Sequence, residues 1–251
     1  MPDTGPDLGP DLGWMDAGTA YFEARVRGAD LGRPSRLPGW SGRHVVAHVA
    51  ANARALGRLV HWARTGEERP MYASAEARDA EIEDLAARLD AAALESLAEE
   101  TSEELREALG ELSGDQWDAR VRTAQGRLVP ASEVVWLRTR EVWVHGVDLG
   151  GRFEDLPGEL VDALLTDVTA LWARRGEEPA MVLRPADRLT SWPADVDGLP
   201  EVRGTAAELA AWVPGPAPPP PLGAPPPPPP TTAPPGVRTR GSPPGGGGGP
   251  K

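Results

Sequence analysis

Cysteine is absent from the 251-residue chain. That excludes disulfides, thiolate metal sites and a sulfur nucleophile carried by the protein itself. Lysine is nearly absent too: Lys251 is the only one, and arginine supplies the remaining basic side chains, a bias read as GC-rich coding rather than function. No stretch is long and apolar enough to span a bilayer, and the opening "MPDTGPDLGPDLGW" lacks the basic start and apolar core of a secretory signal. A cytoplasmic protein is expected. Also missing are a glycine-rich phosphate loop, a Walker pattern, a G-x-S-x-G elbow and an HExxH helix, so the commonest nucleotide, hydrolase and metalloprotease signatures do not apply.

Positive charge is in short supply. Twenty-six basic residues face 38 acidic ones, a net charge of −12. Residues 214–251 contribute Arg238, Arg240 and Lys251 and no acid, which leaves 23 − 38 = −15 on the remainder. Such a body disfavours nonspecific contact with nucleic acid or anionic membrane, and "GRPSRLPG" is too short a basic stretch to reverse that. Small molecules are the expected partners, with the chain a monomer or homodimer. The same 214–251 segment holds 17 of the 29 prolines and almost no large apolar side chain. It cannot bury enough surface to offset the entropy of ordering, so a disordered, partly polyproline-II tail is expected.

What remains is dominated by helical periodicity. A first helix is expected from about residue 11 to 30, with Trp14, Ala17, Tyr21 and Ala24 near one stripe. Ser41 caps a second, "GRHVVAHVAANARALGRLVHWARTG", closed by Gly66. Ser74 caps a third, which the pattern carries to an interruption at Thr101 before "SEELREALGEL" continues helical. "ARVRTAQGRLVP" reads as a short extended excursion turning at Gln125-Gly126. The helix "ASEVVWLRTREVWVHGVDL" follows and stops at Gly150-Gly151. Four long helices with short connections predict an antiparallel four-helix bundle over residues 10–152. Residues 153–213 hold an amphipathic helix, two short strand candidates ("AMVLRPADR" and "PEVRG") and a last helix capped by Thr205. They predict a small α+β domain. The fold class is thus mainly α with α+β, followed by the 214–251 tail.

Four histidines occur: His44, His48, His61 and His145. In "TREVWVHGVDLG", Glu141 lies four residues before His145, so the two share one helix face among apolar neighbours. His44 and His48 repeat that spacing on the second helix. Facing helices of a bundle commonly build metal sites from such pairs, and a His2Glu set is the pattern of an open catalytic zinc site. The bland alternative is solvated helix decoration. It fits poorly beside Val142, Trp143, Val144 and Val147, because a buried unpaired carboxylate is costly. His48 lies deeper in its apolar stretch than His44, which sits near the helix start. His61, beside Trp62 at the helix end, reads as a surface residue favoured by the helix dipole.

Taken together, "LPGWSGRHVVAHVAANARAL", "TGEERPMYASAEARDAEIE", "VPASEVVWLRTREVWVHGVDLG" and "VRGTAAELAAWV" resemble the mycothiol-dependent maleylpyruvate isomerases of the DinB-like superfamily, over residues 10 to 213. The resemblance implies a DinB-like bundle that holds a divalent metal, usually zinc, through His48, Glu141 and His145. It also places an active-site arginine at Arg78 and a substrate-binding side chain at Tyr72. The alternative for Arg78 is a helix-surface ion pair with Glu81. In one respect the chain departs from the family: where an arginine is expected after the last helix, it reads "VPGPAPPPP".

The implied cofactors are the metal and mycothiol, a low-molecular-weight thiol that would take the sulfur role this cysteine-free chain cannot. The implied reaction is reversible thiolate addition to the cis double bond of maleylpyruvate, rotation, and release of fumarylpyruvate. Two other classes remain: a mycothiol S-transferase that conjugates the thiol to an electrophile, and a non-catalytic metal or small-molecule binding module.

Overall fold

The computed structural model describes residues 9–174, 181–194 and 198–212; the 214–251 tail lies outside them. Helix α1 spans Gly9–Gly28, α2 Gly42–Thr65, α3 Ala75–Arg88, α4 Ala91–Gly110 and a single turn α5 Gly114–Trp117. Strands β1 (Arg120–Arg122) and β2 (Leu128–Pro130) precede α6 (Glu133–Asp148). After a 3-10 turn at Phe153–Asp155 come α7 (Gly158–Arg174), β3 (Val182–Pro185), β4 (Glu201–Gly204) and α8 (Ala206–Trp212).

The bundle is formed by α1, α2, α4 and α6, each touching two of the others around the ring, with α3 laid on α2. Helix α2 is its spine. Val45, Val46, Ala47, Val49, Ala50 and Ala51 are fully buried, and their small side chains let neighbouring helices approach closely. Its ends follow local chemistry. Ser41 closes the start, its N–H donating to His44 Nδ1 at 3.2 Å and its Oγ lying 2.8 Å from the same atom. Gly66, at φ +76°, closes the end by donating to the Trp62 carbonyl at 2.8 Å.

The third expected helix is two. Its interruption is at Leu89-Asp90, not at Thr101. Leu89 is extended, and the Asp90 carboxylate accepts from Ala93 N–H at 2.8 Å, capping α4. Thr101 lies inside α4, buried, with its Oγ1 donating to the Leu97 carbonyl at 2.8 Å, which satisfies the hydroxyl without breaking the helix. The extended excursion is a hairpin in which Arg120, Val121 and Arg122 pair antiparallel with Pro130, Val129 and Leu128. Its connection is a turn closed by Gly126 N–H on the Thr123 carbonyl at 2.8 Å. Ala124 and Gln125 are thus central, and Gly126 follows in the left-handed region at φ +79°.

Strands β3 and β4 pair in parallel, Val182 with Glu201 through Pro185 with Gly204. At the start of α8, Thr205 N–H donates to Glu208 Oε2 at 2.7 Å, and Glu208 N–H to Thr205 Oγ1 at 3.2 Å. That reciprocal pair is a capping box. One continuous core joins α1, α2 and α6 residues such as Phe22, Val46 and Val142 to Leu160, Leu164, Leu183 and Leu209 of the carboxy-terminal segment. All described residues belong to one compact unit.

Candidate metal centre

Twelve of the sixteen residues of α6 are buried, among them Arg138, Thr139, Glu141 and His145. Polar groups so placed must find partners. Helix α1 packs directly on this helix: an added Cβ at Gly146 would meet the Tyr21 ring at 2.6 Å. The glycine beside His145 is therefore what allows the approach. Tyr21 stacks on Trp143 with ring centroids 4.9 Å apart, and Trp143 Nε1 donates to the Trp14 carbonyl at 2.8 Å.

Within this packing His48, Glu141 and His145 converge. One ligand atom from each lies within 4.8 Å of the others. His48 Nε2 is 3.0 Å from Glu141 Oε2, and His145 Nε2 is 3.2 Å from the same oxygen. The imidazoles meet edge to face with centroids 4.8 Å apart. His145 is 1% exposed, His48 and Glu141 8% each. Ligands held at about 2.1 Å around a tetrahedral ion would lie about 3.4 Å from one another, so these separations suit one small divalent cation.

The donor chemistry points the same way. Asp148 Oδ2 lies 2.9 Å from His145 Nδ1. That contact places the imidazole N–H on the Asp148 side and turns the Nε2 lone pair toward Glu141 and His48. His145 Nε2 is buried and, despite its distance to Glu141, makes no hydrogen bond of acceptable geometry. A carboxylate holding the far nitrogen of a ligating histidine is the usual support of a protein metal site. The residues present therefore fit a divalent metal.

Electrostatics at the cluster favour a cation. Burial alone would raise the Glu141 carboxyl, but the neighbouring His145 and His48 imidazoles hold it well below the usual carboxylate range. Burial lowers His48, partly offset by Glu141. Burial also acts to lower His145, yet the Asp148 and Glu141 carboxylates outweigh it and push the imidazole up to about 9.

The other sequence-derived residues are placed as follows. His44 is taken by Ser41 and, at 3.3 Å, by Glu83, so it stays at the start of α2 and outside the cluster. His61 is 3.5 Å from the exposed Glu67. Arg78 pairs with Asp79, at 2.7 and 2.9 Å, while Glu81 lies 4.0 Å from Arg54 instead. Tyr72 is stacked under the Arg58 guanidinium at 5.8 Å. Burial pushes its phenol up, Glu141 adds to the shift, and Arg78 and Arg58 oppose it. The Arg78 charge also disfavours a protonated His48. Tyr72 and Arg78 thus sit in the electrostatic field of the cluster, and Trp40 packs on His48 with centroids 5.4 Å apart.

Three neighbours escaped the sequence reading. Asp148 stands three residues after His145 at a helix end, where an acid ordinarily faces water; the i, i+3 spacing was its available signal. Arg138, 1% exposed, donates to the Val49 carbonyl at 2.8 Å, Asn52 Oδ1 at 3.2 Å and Ser102 Oγ at 2.8 Å. It ties α6 to α2 and α4 directly behind the cluster, and burial lowers its guanidinium to about 10. Arg140 joins Asp167 of α7 at 2.7 Å.

Comparisons with known proteins identify the family. Residues 15–150 match the model of the mycothiol maleylpyruvate isomerase N-terminal domain. A crystal structure of a mycothiol-dependent maleylpyruvate isomerase is similar at 40% identity and a TM-score of 0.78, covering 82% of this chain and 88% of that one. A histidine-to-alanine mutant of such an isomerase is similar at 39% identity and a TM-score of 0.77, with the same coverage. No curated protein sequence matches. A family model spanning more than half of the chain, and a solved relative at 40% identity over most of both chains, lead to one conclusion: this chain belongs to the mycothiol maleylpyruvate isomerase family.

Proposed function

We propose that the protein is a zinc- and mycothiol-dependent cis-trans isomerase of the maleylpyruvate type, with His48, Glu141 and His145 as the metal ligands. The observation that carries this reading is the convergence of three buried ligand atoms, two of them imidazole nitrogens, in a chain with no cysteine of its own. Mycothiol dependence is supported by the solved relatives at 40% and 39% identity. A divalent metal there, with mycothiol as its further ligand, would supply a thiolate at neutral pH able to add reversibly to an activated cis double bond and free it to rotate.

The chain's own residues supply the rest. Asp148 fixes the tautomer and orientation of His145. Trp40 packs on His48 and lines one side of the site. Arg78 offers a fixed positive charge in a partly dry setting, suited to a substrate carboxylate or to the enolate oxygen that develops during addition. Arg78 is the residue we assign to catalysis, with Arg78 and Tyr72 holding substrate. The raised phenol of Tyr72 stays protonated and can donate a hydrogen bond to an anionic substrate oxygen.

A second reading, a mycothiol S-transferase, is favoured by one sequence feature: "VPGPAPPPP" stands after Trp212 where the family resemblance leads one to expect an arginine. Incubating zinc-loaded protein with mycothiol and maleylpyruvate separates the two. Fumarylpyruvate formed with mycothiol returned unchanged supports the isomerase, a stable thiol adduct supports the transferase, and no mycothiol-dependent product sinks both.

A further inference from the structure

Arg140 immediately precedes Glu141 on α6, and its guanidinium reaches toward two carboxylates. Nη1 donates to Asp167 Oδ2 on α7 at 2.7 Å, whereas Nη2 stays 3.9 Å from Glu141 Oε1. The other Glu141 oxygen, Oε2, is the one His48 and His145 approach at 3.0 and 3.2 Å. All three charged side chains are nearly buried, with 11–15% of their surfaces exposed, so water screens them weakly. In such surroundings a guanidinium tends to close on a neighbouring carboxylate as a two-bond fork. Arg140 retains the donors to do so: its Nε is buried with no hydrogen-bond partner.

We propose that Asp167 is a positioning residue for the candidate metal centre, drawing Arg140 aside so that Glu141 Oε2 stays available to a cation. Two effects combine. Asp167 neutralises a positive charge that would otherwise repel an incoming metal, and it holds the guanidinium at a distance from which it does not capture Glu141. Helix α7 belongs to the carboxy-terminal segment, so that segment sets the metal affinity of a site whose ligands all lie on α2 and α6. The inference rests on the metal reading of His48, Glu141 and His145.

The test is a zinc titration of the full chain against a chromophoric chelator, with helical content followed by circular dichroism. Asp167→Asn should keep its helix content and weaken zinc binding by about tenfold or more, the scale on which outer supports of metal ligands act. Adding Arg140→Met to that variant should return affinity to near the wild-type value, because the released guanidinium is then gone. A merely structural role for the pair would leave the double variant as weak as the single one. Arg140→Met alone should bind zinc as tightly as wild type, which keeps the test decisive if Asp167→Asn unfolds. Wild-type affinity in Asp167→Asn, a double variant no tighter than it, or weakened zinc binding in Arg140→Met would each overturn the inference while leaving the metal site standing. A wild-type chain that binds no zinc would overturn the metal reading itself.

Discussion

At the scale of single residues the site is a division of labour between groups that touch the cluster and groups that orient those that do. Asp148 belongs to the second kind. Asp148→Asn removes the charge that holds His145 Nδ1, so zinc affinity should fall about 10- to 100-fold with the fold intact, measurable by chelator competition. Arg78 is different: its part-buried guanidinium influences His48 and Tyr72 without joining the three ligand atoms. Arg78→Ala should therefore keep zinc and lose about 100-fold or more in kcat, the usual cost of removing a fixed charge from a developing anion. Unchanged turnover in that variant would remove Arg78 from the mechanism. The pairing of Glu141 with His145 was readable from the i, i+4 spacing and the valines around it, while His48 as their partner was implied by the family resemblance and by its depth in α2. His44 could be set aside because it lies three residues after a capping serine. Arg138 and Arg140 were not readable, and Asp148 offered only its i, i+3 spacing to His145, since periodicity says which face of a helix is apolar but not which charged side chain folds back under it.

At the scale of elements, what positions the ligands is the close contact of α1 with α6 and the spine formed by α2. Gly146 tests that contact. In an isolated helix Gly→Ala gains up to about 1 kcal/mol, but here the added methyl would sit 2.6 Å from the Tyr21 ring. Gly146→Ala should instead cost about 1–3 kcal/mol, the range for overpacking a filled core. For a chain of this size that lowers Tm by about 2–4 °C per kcal/mol, read by calorimetry. A raised Tm would mean α1 yields easily and is not a constraint on His145. Helix existence was well marked in the sequence, by Ser41, Gly66, Ser74 and Thr205 at the ends. The split between α3 and α4 was less clear, because the alanine-rich run after Asp90 continues the same periodicity on both sides. Only the aspartate itself marks a start, and Thr101 was the more conspicuous helix breaker. Its hydroxyl proved to be satisfied by the preceding turn.

At the scale of the whole molecule, a buried ionised carboxylate between two imidazoles is a poor source of stability by itself, since the desolvation of each charge opposes their attraction. A bound cation changes that balance by favouring the native state. At a free metal concentration of about 100 times Kd the gain is about 2.7 kcal/mol. Chelator should therefore lower the Tm of the wild-type chain and leave that of Glu141→Ala unmoved; an equal response in both would place the metal elsewhere. The bundle and the α+β segment were both foreseeable from patterning, whereas their shared core was not, because composition does not report which apolar faces meet. The most direct test of the account is zinc content per chain, by elemental mass spectrometry, on protein purified without chelator. Wild type and His44→Ala should each carry about one zinc, and His48→Ala and Glu141→Ala essentially none. Undiminished zinc in Glu141→Ala, or a His44→Ala that empties while His48→Ala stays full, would contradict the assignment.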